Sequence, residues 1–179
     1  MNIPNLLTLA RIILVPIFVI SLIHGDFAKA LIIFIVACVT DGLDGFLARV
    51  LKQKTELGAH LDPLADKTLI ATAFITLSVL HIIPSWLTVI VISRDIVILV
   101  GISVLFFMSI PFEISPAFVS KITTVFQFVT VLLVLTFEQV PLYRHLGVLA
   151  VLYWVTALVT VVSGLNYIAR GVKLINGAD

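Results

Sequence analysis

The stretch DGLDGFLARVLKQKTELGAHLDPLAD, residues 41–66, holds four aspartates in a chain that has ten acidic residues in all. Asp41 and Asp44 are three positions apart, and Asp62 and Asp66 are four positions apart. On a helix, either spacing places both carboxylates on one face. The chain of 179 residues is 61% hydrophobic and 12% charged, whereas soluble domains are about 45–50% apolar and about 25% charged. We therefore predict an integral membrane protein built around this stretch, which we call the aspartate window.

Apolar runs on both sides of the aspartate window predict an all-α fold with six transmembrane helices. The mean hydropathy is +1.23, and a helix needs about 20 residues to cross about 30 Å of hydrocarbon. Arg11 interrupts the first apolar run, so we interpret that run as a helix and not as a cleaved signal peptide. Pro63 lacks a backbone N–H and suits the first turn of the third helix, which leaves open whether residues 58–62 are already helical. We expect a single domain over residues 1–179, with helices at about residues 6–23, 27–52, 61–83, 84–109, 117–137 and 142–173.

The lysines and arginines predict which side of the membrane the aspartate window faces. With six spans, both termini lie on one side, and eight basic residues lie there against two on the other side. The positive-inside rule then places both termini and the window in the cytoplasm. The eight are Arg11, Arg49, Lys52, Lys54, Lys67, Lys121, Arg170 and Lys173, and the two are Lys29 and Arg144.

The residue types in the aspartate window fit a metal-assisted phosphate-transfer site. Four carboxylates placed close together repel one another, and a divalent cation removes this repulsion. Oxygen ligands without cysteine or histidine favour Mg²⁺, Mn²⁺ or Ca²⁺ over zinc, and a pair of such ions assists displacement at phosphorus. Gly45, Ala48 and Gly58 leave room for a ligand close to the backbone. Arg49 can bind phosphate oxygens through its forked N–H groups.

Other interpretations of the aspartates are open at this point. They could form the pathway of a cation or proton transporter, although the sequence lacks an inverted-repeat or broken-helix pattern. They could also be interfacial anions paired with nearby basic residues in a purely structural membrane protein. That interpretation leaves the helical spacing and the small residues unexplained. With a net charge of +1 and no basic run, the chain gives no reason to expect a nucleic-acid partner.

The window carries the motif D-x-x-D-G-x-x-A-R-x8-G-x3-D-x3-D and thereby resembles the CDP-alcohol phosphotransferases. All eight fixed positions of that motif are present at the same spacing. The opening segment NIPNLLTLAR, residues 2–11, is similar to bacterial members of the family. The resemblance covers nearly the whole chain. It implies six membrane helices around a cytoplasm-facing polar active site, in the bacterial inner membrane.

The resemblance also implies a reaction and a role for each residue of the motif. CDP-diacylglycerol would donate a phosphatidyl group to a glycerol-type acceptor, with release of CMP. Asp66 would take the proton from the acceptor hydroxyl. Two Mg²⁺ or Mn²⁺ ions would be held by Asp41, Asp44, Asp62 and Asp66. The CDP pocket would be lined by Asp41, Gly45, Ala48, Arg49 and Gly58.

The choice of acceptor depends on residues outside the window. Arg94 and Lys121 are candidates to bind an anionic acceptor, although Arg94 could instead form a structural ion pair with Asp95. At the positions of Val100 and Ile102, the family members that use glycerol 3-phosphate have a glycine and a second arginine. The run ISRDIV (residues 92–97) is more similar to members that make cardiolipin from phosphatidylglycerol. We expect glycerol 3-phosphate as the acceptor, with phosphatidylglycerol as the alternative.

Small residues in the last predicted helix raise the question of self-association. Gly164 follows Ser163 in an otherwise apolar run. Small residues let membrane helices approach closely. We therefore expect Gly164 to serve either helix packing within the chain or a homodimer.

Overall fold

The structure is a computed structural model that describes the backbone of residues 3–50, 56–107, 118–139 and 147–176. Side chains are described at positions 10, 12–40, 67–105, 119–139 and 147–174. These residues form an all-helical fold, as the sequence predicts. Its helices are α1 (Ile3–Ile23), α2 (Phe27–Val50), α3 (Glu56–Val79), α4 (Ser85–Phe107), α5 (Phe118–Gln139) and α6 (Val148–Asn176).

The third and sixth helices begin furthest from their predicted positions. Helix α3 begins at Glu56, so Pro63 lies inside the helix and not in its first turn. A proline removes one backbone hydrogen bond, which the surroundings of a membrane helix can compensate, and α1 likewise continues through Pro16. Helix α6 begins at Val148, directly after a turn at Gly147, and not at residue 142.

The first of two compact units comprises α1, α2, α3 and the C-terminal part of α5, residues 131–139. Helix α1 packs against both α2 and α3. Phe18 of α1 and Phe34 of α2 are fully buried, with ring centroids 5.7 Å apart, and Phe74 of α3 is also fully buried. In a membrane, such close side-chain packing is a main source of helix association. The three phenylalanines therefore define the apolar core of this unit.

Two similar turns end α1 and α3. After α1, Gly25 has φ 76°, Asp26 N–H donates to Ser21 O (3.0 Å), and Gly25 N–H donates to Leu22 O (3.0 Å). After α3, His81 has φ 59°, with matching bonds from Ile82 N–H to Leu77 O (2.9 Å) and from His81 N–H to Ser78 O (3.0 Å). Both are Schellman caps, which satisfy carbonyls at a helix end and favour glycine at the left-handed residue. His81 occupies the position where glycine is favoured, so its backbone conformation is strained.

The second unit comprises α4, residues 118–130 of α5, and α6. Trp86 stacks on Trp154 with ring centroids 4.9 Å apart, and Arg94 bonds Ser163. Both contacts join α4 to α6 at nearly the same sequence offset, so these two helices run parallel.

A buried polar seam joins α5 to α6 within this unit. The hydroxyl groups of Thr130 and Thr156 are 2.8 Å apart, and the Thr123 hydroxyl lies 3.3 Å from Val159 O. These contacts show that α5 runs antiparallel to α6. Interhelical hydrogen bonds of this kind contribute about 0.6 kcal/mol each in membrane proteins. The buried polar residues of the seam are Thr123, Gln127, Thr130, Thr156, Thr160 and Ser163.

Length and composition identify three helices that can cross a membrane within the described part of the chain. They are Ser85–Leu105, Val119–Gln139 and Val148–Leu174. On α6, an apolar stripe at seven-residue spacing, Val151, Leu158, Leu165 and Val172, is more than half exposed. Such a face suits contact with lipid and not with water. The protein is therefore an all-helical membrane protein.

The other three helices contribute shorter apolar segments. These are Ile12–Ile23, Phe27–Thr40 and Lys67–Val79. Six membrane spans therefore stay a prediction for these helices.

Candidate active site

The aspartate window occupies the end of α2 and the beginning of α3. Asp41 and Asp44 lie in α2, and Asp62 and Asp66 lie in α3. Both pairs therefore have the helical spacing that the sequence predicts. Their side chains, like those of Gly45, Ala48, Arg49 and Gly58, lie outside the described side chains. The roles assigned to all eight residues stay predictions.

The helical register relates the motif of α2 to the core of the first unit. On α2, the buried residues Ala30, Ile33, Phe34 and Ala37 form one stripe. With 3.6 residues per turn, positions 41, 44 and 48 continue that stripe. The motif positions of this helix therefore share a register with its core residues.

Helix α3 has the same arrangement in the opposite direction along the chain. Its buried stripe comprises Leu69, Ile70, Ala73 and Leu77. Positions 62 and 66 extend this stripe towards the start of the helix. Because α1 packs against both helices, both buried stripes belong to the core of the first unit.

The donor set of the window suits a hard divalent cation. All four candidate ligands are carboxylates, and Mg²⁺ and Mn²⁺ prefer oxygen ligands. Among the described side chains, no group of three or more His, Cys, Asp or Glu residues could hold a metal ion. The four aspartates lie outside that set.

Arg94 lies at the centre of a polar cluster in the second unit. Its side chain is 6% exposed, and its Nη1 donates to Asp95 Oδ1 over 2.7 Å. Its Nη2 donates to Ser120 Oγ of α5 over 2.6 Å and to Ser163 Oγ of α6 over 3.0 Å. The ion pair with Asp95 that the sequence allows is therefore present. The binding of an acceptor by Arg94 stays a prediction.

Two neighbours of this cluster differ in exposure. Lys121 follows Ser120 in α5 and is exposed, and its predicted part in acceptor binding also stays a prediction. Gly164 is buried, and a Cβ placed on it would lie 3.5 Å from Cγ of Arg94. Gly164 therefore serves packing between α6 and α4 within the chain. A homodimer stays untested.

Ser120 and Ser163 were not predicted from the sequence as partners of Arg94. They lie 26 and 69 positions from it, so no local pattern connects the three residues. A signal was present on α5, where Ser120, Thr123, Gln127 and Thr130 recur at helical spacing. That stripe marks a buried polar face, but it does not identify Arg94 as its partner.

The fold and the motif together define a helical membrane protein that carries a phosphate-transfer motif. The family model of the CDP-alcohol phosphatidyltransferases matches residues 1–162. The chain belongs to the CDP-alcohol phosphatidyltransferase family, and it is therefore a phosphatidyltransferase of phospholipid synthesis.

Relatives whose names describe different enzymes match this chain. A probable phosphatidylglycerophosphate synthase of Mycobacterium tuberculosis is 39% identical over 98% of this chain and 84% of its own length. A cardiolipin synthase (CMP-forming) of Homo sapiens is 33% identical over 97% of this chain and 63% of its own. A CDP-diacylglycerol–glycerol-3-phosphate 3-phosphatidyltransferase of Escherichia coli is 48% identical over 54% of this chain and 56% of its own.

Proposed function

We propose that this enzyme transfers the phosphatidyl group of CDP-diacylglycerol to glycerol 3-phosphate. The acceptor oxygen forms a bond to the β-phosphorus while the bond from that phosphorus to CMP breaks. Asp66 takes the proton of the attacking hydroxyl. The name of the Mycobacterium tuberculosis relative, which aligns with 98% of this chain, supports glycerol 3-phosphate as the acceptor.

The register of the motif is the observation that carries this proposal. Positions 41, 44 and 48 continue the buried stripe of α2, and positions 62 and 66 continue that of α3. Charged residues on the core register of membrane helices are costly, by at least about 2.5–3.5 kcal/mol each at mid-membrane. The presence of motif positions on two core registers of one unit supports a shared functional site.

The residues of the motif form two groups, one that would bind the metal ions and one that would bind the nucleotide. Asp41, Asp44, Asp62 and Asp66 would hold two Mg²⁺ or Mn²⁺ ions, which when bound draw negative charge from the pyrophosphate and stabilise the leaving CMP. The small residues Gly45, Ala48 and Gly58 would admit CDP beside the helix backbones, with Asp41 at the same pocket. Arg49 would bind the phosphate oxygens.

Phosphatidylglycerol is the second candidate acceptor, and two observations favour it. The human relative that matches 97% of this chain is named a cardiolipin synthase. The cluster around Arg94 contains one cation and one anion, Asp95, so its described charges cancel. A neutral cluster attracts a dianionic phosphate monoester less than a surplus of cations would.

The setting that we propose is a bacterial inner membrane crossed by all six helices. The excess of lysine and arginine on one side supports a cytoplasmic position for both termini and for the aspartate window. Mg²⁺ and the nucleotide portion of the donor would then reach the motif from the cytoplasm.

The test is an Asp66→Asn variant with an Asp26→Asn control. Asp26 is an exposed carboxylate in the turn between α1 and α2. Purified enzymes in mixed micelles receive CDP-diacylglycerol, Mg²⁺ and one acceptor at a time, and released CMP and lipid products are measured by mass spectrometry. Loss of a general base should lower the rate of Asp66→Asn by about 10²–10⁴. Asp26→Asn should keep the wild-type rate.

The product identifies the acceptor. Phosphatidylglycerophosphate from glycerol 3-phosphate supports the proposal, and cardiolipin from phosphatidylglycerol alone would replace it with the second candidate. Wild-type turnover by a folded Asp66→Asn variant would refute the role of Asp66. Cation flux in proteoliposomes without any lipid product would instead favour a transporter.

A further inference from the structure

The guanidinium of Arg94 is held by residues from three helices of the second unit. Asp95 accepts from Nη1 at 2.7 Å, while Ser120 and Ser163 accept from Nη2 at 2.6 and 3.0 Å. Two serines on different helices thus share one terminal nitrogen. This arrangement fixes the plane of the guanidinium as well as its position.

The Nε–H group of this guanidinium is buried and has no hydrogen-bond partner among the described residues. An arginine side chain has five N–H donors in a rigid fork. The hydrogen bonds to Asp95, Ser120 and Ser163 use three of them. Among the described residues, Nε has no hydrogen-bond partner, although the side chain is 94% buried. A buried donor without a partner is costly, and its persistence in a rigid frame points to an acceptor atom supplied from elsewhere.

We propose that Ser120 and Ser163 are positioning residues that hold Arg94 so that its Nε–H meets a phosphate oxygen of the acceptor alcohol. The proposal rests on the acceptor-binding role of Arg94 in the proposed function. Both candidate acceptors carry a phosphate oxygen: glycerol 3-phosphate in a monoester and phosphatidylglycerol in a diester. The shared chemistry is an anionic oxygen that accepts a charge-assisted hydrogen bond.

The fit of α6 against Arg94 supports this role. A Cβ on residue 164 would lie 3.5 Å from Cγ of Arg94, so glycine lets the backbone beside Ser163 approach the arginine stem. The serine hydroxyls are short and bring their oxygens to Nη2 with little freedom of movement. Loss of either hydroxyl would leave the guanidinium with one fewer restraint on its orientation.

A matched pair of variants at Ser163 tests the proposal. Threonine retains a hydroxyl, and valine replaces that hydroxyl with a methyl group of similar size, so both variants add the same bulk. Ser120→Ala removes the other hydroxyl. Ser103→Ala is the control, because Ser103 lies on α4, is exposed, and donates to Leu99 O of its own helix.

Initial rates are measured against acceptor concentration and, separately, against CDP-diacylglycerol concentration. We expect Ser163→Val and Ser120→Ala to raise the KM for the acceptor about tenfold, the scale of one hydrogen bond to a charged group. The KM for CDP-diacylglycerol should stay at the wild-type value, and Ser163→Thr should recover most of the loss seen in Ser163→Val. Each acceptor is assayed separately, so the arm with the larger KM change identifies the phosphate that Arg94 binds.

Arg94→Lys separates a failure of this proposal from a failure of the proposed function. If Arg94→Lys raises the acceptor KM but Ser163→Val and Ser120→Ala do not, the positioning role is wrong and acceptor binding by Arg94 survives. If a folded Arg94→Lys leaves the acceptor KM unchanged, the acceptor role assigned to Arg94 is itself wrong. Equal changes in the KM values for the acceptor and for CDP-diacylglycerol, or a lower thermal midpoint with unchanged kinetics, would show that the serines have only a structural role.

Discussion

Removal of the Asp95 carboxylate should destabilise the protein strongly, because it leaves the charge of Arg94 without its counterion. Arg94 is the tenth residue of the span that begins at Ser85, so it lies about 14 Å along a helix that crosses about 30 Å of hydrocarbon. The ion pair is therefore close to the middle of this apolar span. Water can compensate poorly there for a lost partner.

The magnitude follows from the burial and separation of the two groups. With an effective dielectric constant near 20, unit charges about 4 Å apart attract each other by about 4 kcal/mol. Removal of one partner of a buried pair costs about 3–5 kcal/mol in measured cases. The Asp95 side chain is 15% exposed, so we expect a cost at the lower end of this range. Asp95→Ala should lower the free energy of unfolding by about 3 kcal/mol. Asp95→Asn keeps an acceptor oxygen and should lower the free energy of unfolding by about half as much.

The double variant Arg94→Met/Asp95→Ala provides the internal check. Replacement of a whole buried ion pair by apolar groups is often neutral or stabilising. The released hydroxyl of Ser163 can donate to a carbonyl one turn earlier in α6. The free energy of unfolding of the double variant should therefore lie within about 1 kcal/mol of the wild-type value.

Thermal unfolding in a mild detergent, followed by circular dichroism, measures these differences. For a chain of this length, each kcal/mol shifts the midpoint by about 2–4 °C, so Asp95→Ala should unfold about 6–12 °C below the wild type. Arg170→Met is the control, since Arg170 is exposed on α6 and bonds Asn166 at 3.1 Å. A double variant no more stable than Asp95→Ala would refute the ion-pair argument, as would a midpoint unchanged by Asp95→Ala.

Three further predictions concern the helix turns, the tryptophans and the packing of α6. His81→Gly should raise the thermal midpoint by about 2–4 °C, because it relieves about 1 kcal/mol of strain at φ 59°; an unchanged midpoint would contradict this. The chain has two tryptophans, Trp86 and Trp154, stacked near the starts of their helices, so its tryptophan fluorescence reports on that pair alone. Brominated lipids should quench it more when bromine lies near the headgroup than at mid-chain, and the reverse order would refute an interfacial position. Gly164→Ala should unfold near the wild-type midpoint and Gly164→Leu well below it, while Gly101→Leu, where no atom lies within 4 Å of a Cβ, should be tolerated; equal effects of the two leucines would contradict the packing role.

The helix boundaries were predictable where the local sequence contains residues typical of a helix end. The turn at Gly25 combines a glycine with polar neighbours, and the predicted boundary between the first two helices agrees with the structure. The end of α3 was less predictable. Its cap uses His81 in a left-handed conformation inside an apolar run, so the sequence carries no glycine to mark the end at Val79. The start of α3 was misjudged because Pro63 resembles a first-turn proline, although the helix begins earlier.

The donor half and the acceptor half of the reaction differ in how they can be recognised. The motif residues proposed to bind CDP-diacylglycerol lie within 26 sequence positions on two consecutive helices, so their spacing alone reveals the motif. The partners of Arg94 come from α5 and α6, and their contacts depend on the parallel packing of α4 on α6. Interhelical packing is not encoded in any local pattern. If Arg94 binds the acceptor as proposed, a change of acceptor would need few local signals in the sequence, because it would depend on how the serines and Asp95 hold one guanidinium. Kinetics of the serine variants, compared between the two acceptors, should consequently separate relatives that the motif cannot distinguish.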